Sequence, residues 1–160
     1  MTEISYKQLK DLAESFYLLG KDYCSFIENN VVTRFNVNEY TLKLLKLYLA
    51  GINLPEYEDL PIDTIDEFRP SFKRKVKVKV KIEDRFWTVF NPYDESSICI
   101  SSISDALQDI YADIAVGMEC YENGALADAL YYWKLYFDSH WGNHLVEVLK
   151  PLYYIQSDIN

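Results

Sequence analysis

Apolar side chains that recur every three or four residues constrain this chain more than any other feature. Leu9, Leu12, Phe16, Leu19, Tyr23 and Phe26 form one such stripe over residues 5–28, and Asn29-Asn30 closes it. Asn38 is placed as the N-cap of a second helix carrying Leu42, Leu45 and Leu49, which Gly51 ends. From Ser102 the pattern returns, with Ile103, Leu107, Ile110, Ile114 and Met118 on one face and Asn123-Gly124 as the stop. Residues 126–137 read as the next helix, antiparallel to the last because the turn is so short. Residues 141–149 read as another, ended by Pro151, with Gly142 marking a break or kink between the two. The expectation is a mainly α-helical bundle of five or six helices, with residues 1–160 as a single domain.

One stretch breaks the helical period. Residues 72–82 (FKRKVKVKVKI) alternate apolar and basic side chains, and Phe86-Trp87-Thr88-Val89-Phe90 could pair back on them. A β-hairpin over about residues 72–90 is therefore expected, although Phe72, Val76 and Val80 would also share a helical stripe. Before it, residues 53–66 hold Pro55, Pro61 and five acids, and read as an acidic connector.

Bulk properties narrow the class. Hydrophobic residues make up 49% and charged residues 26%, a globular balance that argues against disorder. The longest apolar runs are far too short to cross a bilayer, and the start MTEISYKQLKDL has no signal-peptide core. Cys24, Cys99 and Cys120 are odd in number and scattered, which suits reduced thiols in a cytoplasm. Net charge is −9, so wholesale attraction to nucleic acid or a membrane surface is not expected. The charge is uneven, however: residues 69–85 hold eight basic residues against Glu83 and Asp84, while the remainder carries 8 basic and 23 acidic, or −15. The strip Lys73, Lys75, Lys77, Lys79 and Lys81 could track phosphates. A lysine-guarded edge strand, or neutralisation by Asp59, Asp63, Asp66 and Glu67, accounts for it without nucleic acid.

Both histidines of the chain fall in the stretch DSHWGNHL. On a helix, His140, His144 and Glu147 share one stripe, while Phe137, Trp141 and Leu145 share the next. Asp105, Asp109 and Asp113 form a second ladder on the helix two elements earlier. If the helices pack, carboxylates face imidazoles, and a mixed His/Asp metal site competes with plain Asp–His hydrogen bonds. Trp141 follows His140 where a zincin would carry Glu, and no third ligand is fixed by motif. The structural account is therefore preferred: Trp141 is the anchor, Gly142 permits close approach, and neither metal nor cofactor is expected. No Gly-x-Ser-x-Gly turn, Gly-rich phosphate loop or Cys-x-x-Cys occurs, so nucleophilic catalysis finds no support. The segment 123–132 has the flavour of one tetratricopeptide-like hairpin, without the recurrence such repeats need.

SISDALQDIYADI, followed by YENGALADALYYWKLYFDSHWGNHLVEVLKPL, resembles the bacterial domain-of-unknown-function family 5063. Asp105, Asp109, Ile110, Tyr111 and Asp113 match its acidic helix start. Trp133, Phe137, His140, Trp141, Gly142, His144 and Leu145 match its closing His-Trp-Gly-x-His-Leu motif. Phe86 to Pro92 is similar to its aromatic–Trp–x–Val–Phe–Asp–Pro stretch, with Asn91 in place of Asp. The resemblance covers residues 84–153 best. It implies a helical fold, and a helix-like segment where this chain instead alternates lysine and valine. It supplies no reaction. Small size, acidity and 14 tyrosines without a catalytic constellation suit a non-catalytic protein-interaction module, of immunity or inhibitor type. The alternative is a metal-binding or metal-dependent enzyme using His140 and His144 with the neighbouring aspartates.

Overall fold

The computed structural model describes residues 4–61, 65 and 68–157. Ser5 opens α1 (Tyr6–Asn29) with a capping box, its hydroxyl and backbone N–H both engaging Gln8. α2 (Val37–Ile52) follows a turn, and a single 3₁₀ turn at Tyr57–Asp59 leads away from it. Two short antiparallel strands come next, β1 (Arg85–Val89) and β2 (Ile98–Ser102), with Trp87 opposite Ile100. α3 (Ile103–Glu122) begins where β2 ends, capped by the Ser102 hydroxyl on Asp105 N–H. Gly124, at φ 80°, turns the chain back into α4 (Leu126–Tyr136). A widened π turn (Phe137–Trp141) then joins α4 to α5 (Gly142–Ser157). The fold is mainly α, as the apolar periodicity requires.

α3 lies at the centre of the buried cluster. Its predicted stripe, Ile103, Leu107, Ile110, Ile114 and Met118, is buried throughout. Trp133 and Trp141 are buried beside it with their polar handles satisfied: each indole N–H donates to a backbone carbonyl, Trp133 to Ile114 at 2.9 Å and Trp141 to Trp133 at 3.0 Å. Tyr23 from α1 donates its hydroxyl to the Leu107 carbonyl at 2.8 Å. No helix of the described residues is long and apolar enough to cross a membrane.

The hairpin is real but lies elsewhere. Phe86 and its neighbours pair forward with residues 98–102, not back with residues 72–82. The lysine–valine segment is an extended strap instead, paired with other backbone through a parallel bridge between Val32 and Val80 and held on α3 by the Val78 N–H donating to Gln108 at 2.9 Å. Val76, Val78, Val80 and Ile82 turn onto the helical core, and the alternate lysines face solvent. Alternation reports one-sided burial, and a helical surface supplies that side as well as a second strand would.

Four boundaries also differ from expectation. The N-cap of α2 is Asn36, whose carboxamide accepts Thr33 N–H, while Asn38 sits inside the first turn. Leu42, Leu45 and Leu49 are exposed; α2 buries Tyr40, Leu44, Leu47 and Gly51. Gly51 does not stop the helix but lies within it, against the Phe137 and Trp141 rings. α5 runs through Pro151 to Ser157, and the chain widens into the π turn ahead of Gly142 rather than breaking there.

Candidate metal centre

Three elements build the site. α3 presents Asp109 and Asp113 one turn apart, and the π turn and α5 present His140, His144 and Glu147. Gly142 makes the widened turn possible, because a Cβ there would stand 2.4 Å from the Phe137 carbonyl oxygen. On the opposite side Trp141 and Leu145 are fully buried and Phe137 packs against the core, so the imidazoles are held by a rigid rod.

His140 Nδ1 lies 2.6 Å from Asp113 Oδ2, and the two histidine Nε2 atoms face each other at 3.3 Å. Asp109 Oδ2 stands 3.5 Å from His144 Nε2, and one ligand atom from each of Asp109, His140 and His144 falls within a mutual 4.8 Å. On the far side of His144, Nδ1 is buried 3.4 Å from Glu147 Oε2 yet lacks hydrogen-bond geometry. The rings meet edge to face, centroids 4.7 Å apart.

These distances constrain the protons. Asp113 takes the His140 Nδ1–H, so a neutral His140 has a lone pair on Nε2. Hydrogen bonding between the two Nε2 atoms then needs the proton of His144 on Nε2, which leaves its Nδ1 bare against the Glu147 carboxylate. The other tautomer turns an N–H toward Glu147 at 3.4 Å but sets two lone pairs and the Asp109 carboxylate against one another. A second proton on His144, or a metal ion between the facing nitrogens, relieves both arrangements. Burial pushes the Asp113 carboxyl above its ordinary range, with His140 pulling the other way.

The expected polar cluster is thus assembled in part. Asp109 and Asp113 reach the histidines, while Asp105, exposed near the start of α3, pairs with Gln108. Trp141, Gly142 and Leu145 are buried, and Phe137 packs against the core beside them. Lys73, Lys75, Lys77, Lys79 and Lys81 lie on the strap, all exposed and without an ion pair among the described residues. Asp63, Asp66 and Glu67, expected to oppose them, lie outside the described residues. Phe90 and Ile100 wall the cavity above the histidines, a role that follows from the hairpin pairing residues 85–89 with 98–102. A further polar cluster has no signal in the spacing of its residues: Tyr111 donates to Glu28 and accepts from Arg74 at 3.2 Å, tying the strap to α1 and α3.

A family model described as Domain of unknown function (DUF5063) matches residues 7–158. No curated protein and no solved structure matches the chain.

Proposed function

Starting from the fact that this chain belongs to the DUF5063 family, we propose that it binds a divalent transition-metal ion through His140 Nε2, His144 Nε2 and an Asp109 carboxylate oxygen. The observation that carries this reading is the facing pair of Nε2 atoms at 3.3 Å beside a buried, unsatisfied His144 Nδ1. Ligand atoms held about 2.0–2.1 Å from a tetrahedral ion stand about 3.3 Å apart, so the spacing needs little change. Each imidazole has a carboxylate behind its Nδ1, Asp113 for His140 and Glu147 for His144, the outer-shell arrangement that orients metal-binding histidines. Imidazole and carboxylate ligands suit zinc, cobalt or iron more than magnesium or calcium. Three protein ligands leave coordination positions open toward the cavity, which is compatible with metal-dependent chemistry as well as storage. Isothermal titration of zinc or cobalt into chelator-treated protein tests the reading. One ion per chain, lost in His140→Ala and in His144→Ala with the fold retained, is expected. Binding that is absent, or unchanged in both variants, overturns it.

A second reading retains a protein-interaction module of immunity or inhibitor type, carried by the strap. Five exposed lysines at alternate positions stand about 6.6 Å apart, the same repeat as alternate side chains of an extended peptide. An acidic segment of a partner protein would match that comb in register. A labelled peptide with glutamate at every second position should bind at low salt and release from Lys75→Glu/Lys77→Glu/Lys79→Glu; equal binding to both proteins counts against it. Free Cys24, Cys99 and Cys120 suit a reducing compartment such as the cytoplasm.

A further inference from the structure

The face of α5 that carries the histidines continues well beyond them. His140, His144, Glu147, Pro151 and Tyr154 follow one another at steps of three and four, a single stripe over roughly 21 Å of helix. Its first half opens on a cavity of about 420 Å³, where His140, His144 and Glu147 face Phe90 and Ile100. Its second half opens on a cavity of about 610 Å³, where Pro151 and Tyr154 face Trp87, Val89 and Ile98. Glu147 lines both, so the two cavities adjoin along one trough between the hairpin and α5.

The trough is graded in chemistry. Imidazoles and carboxylates occupy one end, and aromatic and branched side chains the other. Trp87 is 73% exposed, and Tyr154, Ile98 and Val89 are exposed beside it, an unusual concentration of apolar surface around a concavity. Arg85 and Lys150 line this end together with Glu83 and Glu147, so its rim carries charges of both signs. At the junction, Pro151 has no N–H to return to the carbonyl of Glu147, so a helical acceptor is left without its usual donor. A volume of this size holds a small molecule.

We propose that this trough binds an amphiphile with an acyl-type apolar tail and a carboxylate-class head, the tail lying between β1 and α5. The head takes an open position on the metal held by Asp109, His140 and His144, so the inference rests on the metal reading above. The apolar end alone selects chain length; the metal end alone selects the head.

Acetohydroxamate and octanohydroxamate serve as probes, titrated calorimetrically into zinc-loaded protein and into the same protein treated with EDTA. Zinc affinity is measured separately, so that failure of the metal site and failure of the trough are told apart. Six additional methylenes should tighten binding to the zinc form at least about 30-fold, allowing for incomplete burial of the chain. Trp87→Ala/Tyr154→Ala removes two exposed side chains and should bring that ratio close to unity with zinc affinity unchanged. The proposal is overturned if zinc binds but chain length has no effect, or if the double variant keeps the preference. It is equally overturned if octanohydroxamate binds the EDTA-treated protein as well as the zinc form. Should zinc itself not bind, the metal-headed ligand falls with the metal reading.

Discussion

Gly51 of α2 lies so close to Trp141 that a Cβ at position 51 would stand 2.7 Å from the indole, and 2.6 Å from the Phe137 ring. Two opposing effects meet there. Alanine is the better helix former by about 1 kcal/mol, and Gly51 is inside the helix. Overpacking a rigid contact costs about 1–3 kcal/mol, and two aromatic rings offer no flexible end to move aside. Overpacking wins, so Gly51→Ala should destabilise the protein in urea unfolding. A more stable variant would show that α2 can slide away from α5.

Trp141 itself should be worth more. It is fully buried, packs on Phe16 and Phe137, and donates to the Trp133 carbonyl. Trp141→Ala is expected to cost about 3–5 kcal/mol, the range for truncating a core aromatic. Denaturant unfolding with an unchanged slope would measure it, and a loss under 1 kcal/mol would contradict the buried anchor.

The three thiols should separate cleanly. Burial pushes Cys24 and Cys120 up to about 12, whereas Cys99 is exposed on β2. In the folded protein a chromogenic disulfide reagent should titrate one thiol promptly, and Cys99→Ser should abolish that fast phase. All three should react after unfolding. Fast reaction of two or more in the native state would mean that α1 or α3 opens readily.

What was legible follows from what each pattern measures. The α3 stripe could be read because Ile103, Leu107, Ile110, Ile114 and Met118 are its large aliphatic side chains and all face the core, while Ala106, Ala115, Gly117 and Cys120, buried beside them, are small. α2 was misread because it is apolar on more than one side; only the fit of Gly51 against Trp141 decides which leucines turn inward. The strap alternates because one side is buried, and a sequence does not say whether the cover is a strand or a helix. The histidine stripe was legible from helical spacing, and so was its meeting with Asp109 and Asp113. Gly142 marked an irregularity between α4 and α5, but not its form, because the room that a missing Cβ leaves against the Phe137 carbonyl depends on the folded backbone. The cavity walls stayed hidden with the hairpin register.

The lysine strap should not bind nucleic acid tightly at physiological salt. Its five cations are point charges, and the rest of the chain carries −15, which repels any strand longer than the strap. Fluorescence anisotropy with labelled single-stranded DNA should show no sub-micromolar affinity at about 0.15 M salt. Tight binding that collapses steeply with added salt would reverse this reading.

Asp113 offers the sharpest separation of stability from metal binding. Burial holds its carboxyl above the ordinary range, against the pull of His140. A carboxyl raised in the folded state favours folding only while protonated. That contribution is complete below the ordinary carboxylate value and is lost as pH climbs through the folded one. At neutral pH the ionised, buried Asp113 is therefore a net cost, which asparagine does not carry. Asp113→Asn should gain stability relative to the parent between pH 4 and pH 7, read from urea unfolding at the two values. The same substitution gives the His140 Nδ1–H donor a weaker acceptor, an amide oxygen in place of a carboxylate, so zinc affinity should fall by about 10–100-fold, the usual effect of removing an outer-shell carboxylate. Stability and affinity thus move in opposite directions at pH 7. A variant that loses both would mark Asp113 as a structural partner of His140, and one that loses neither would leave Asp113 without influence on the imidazole.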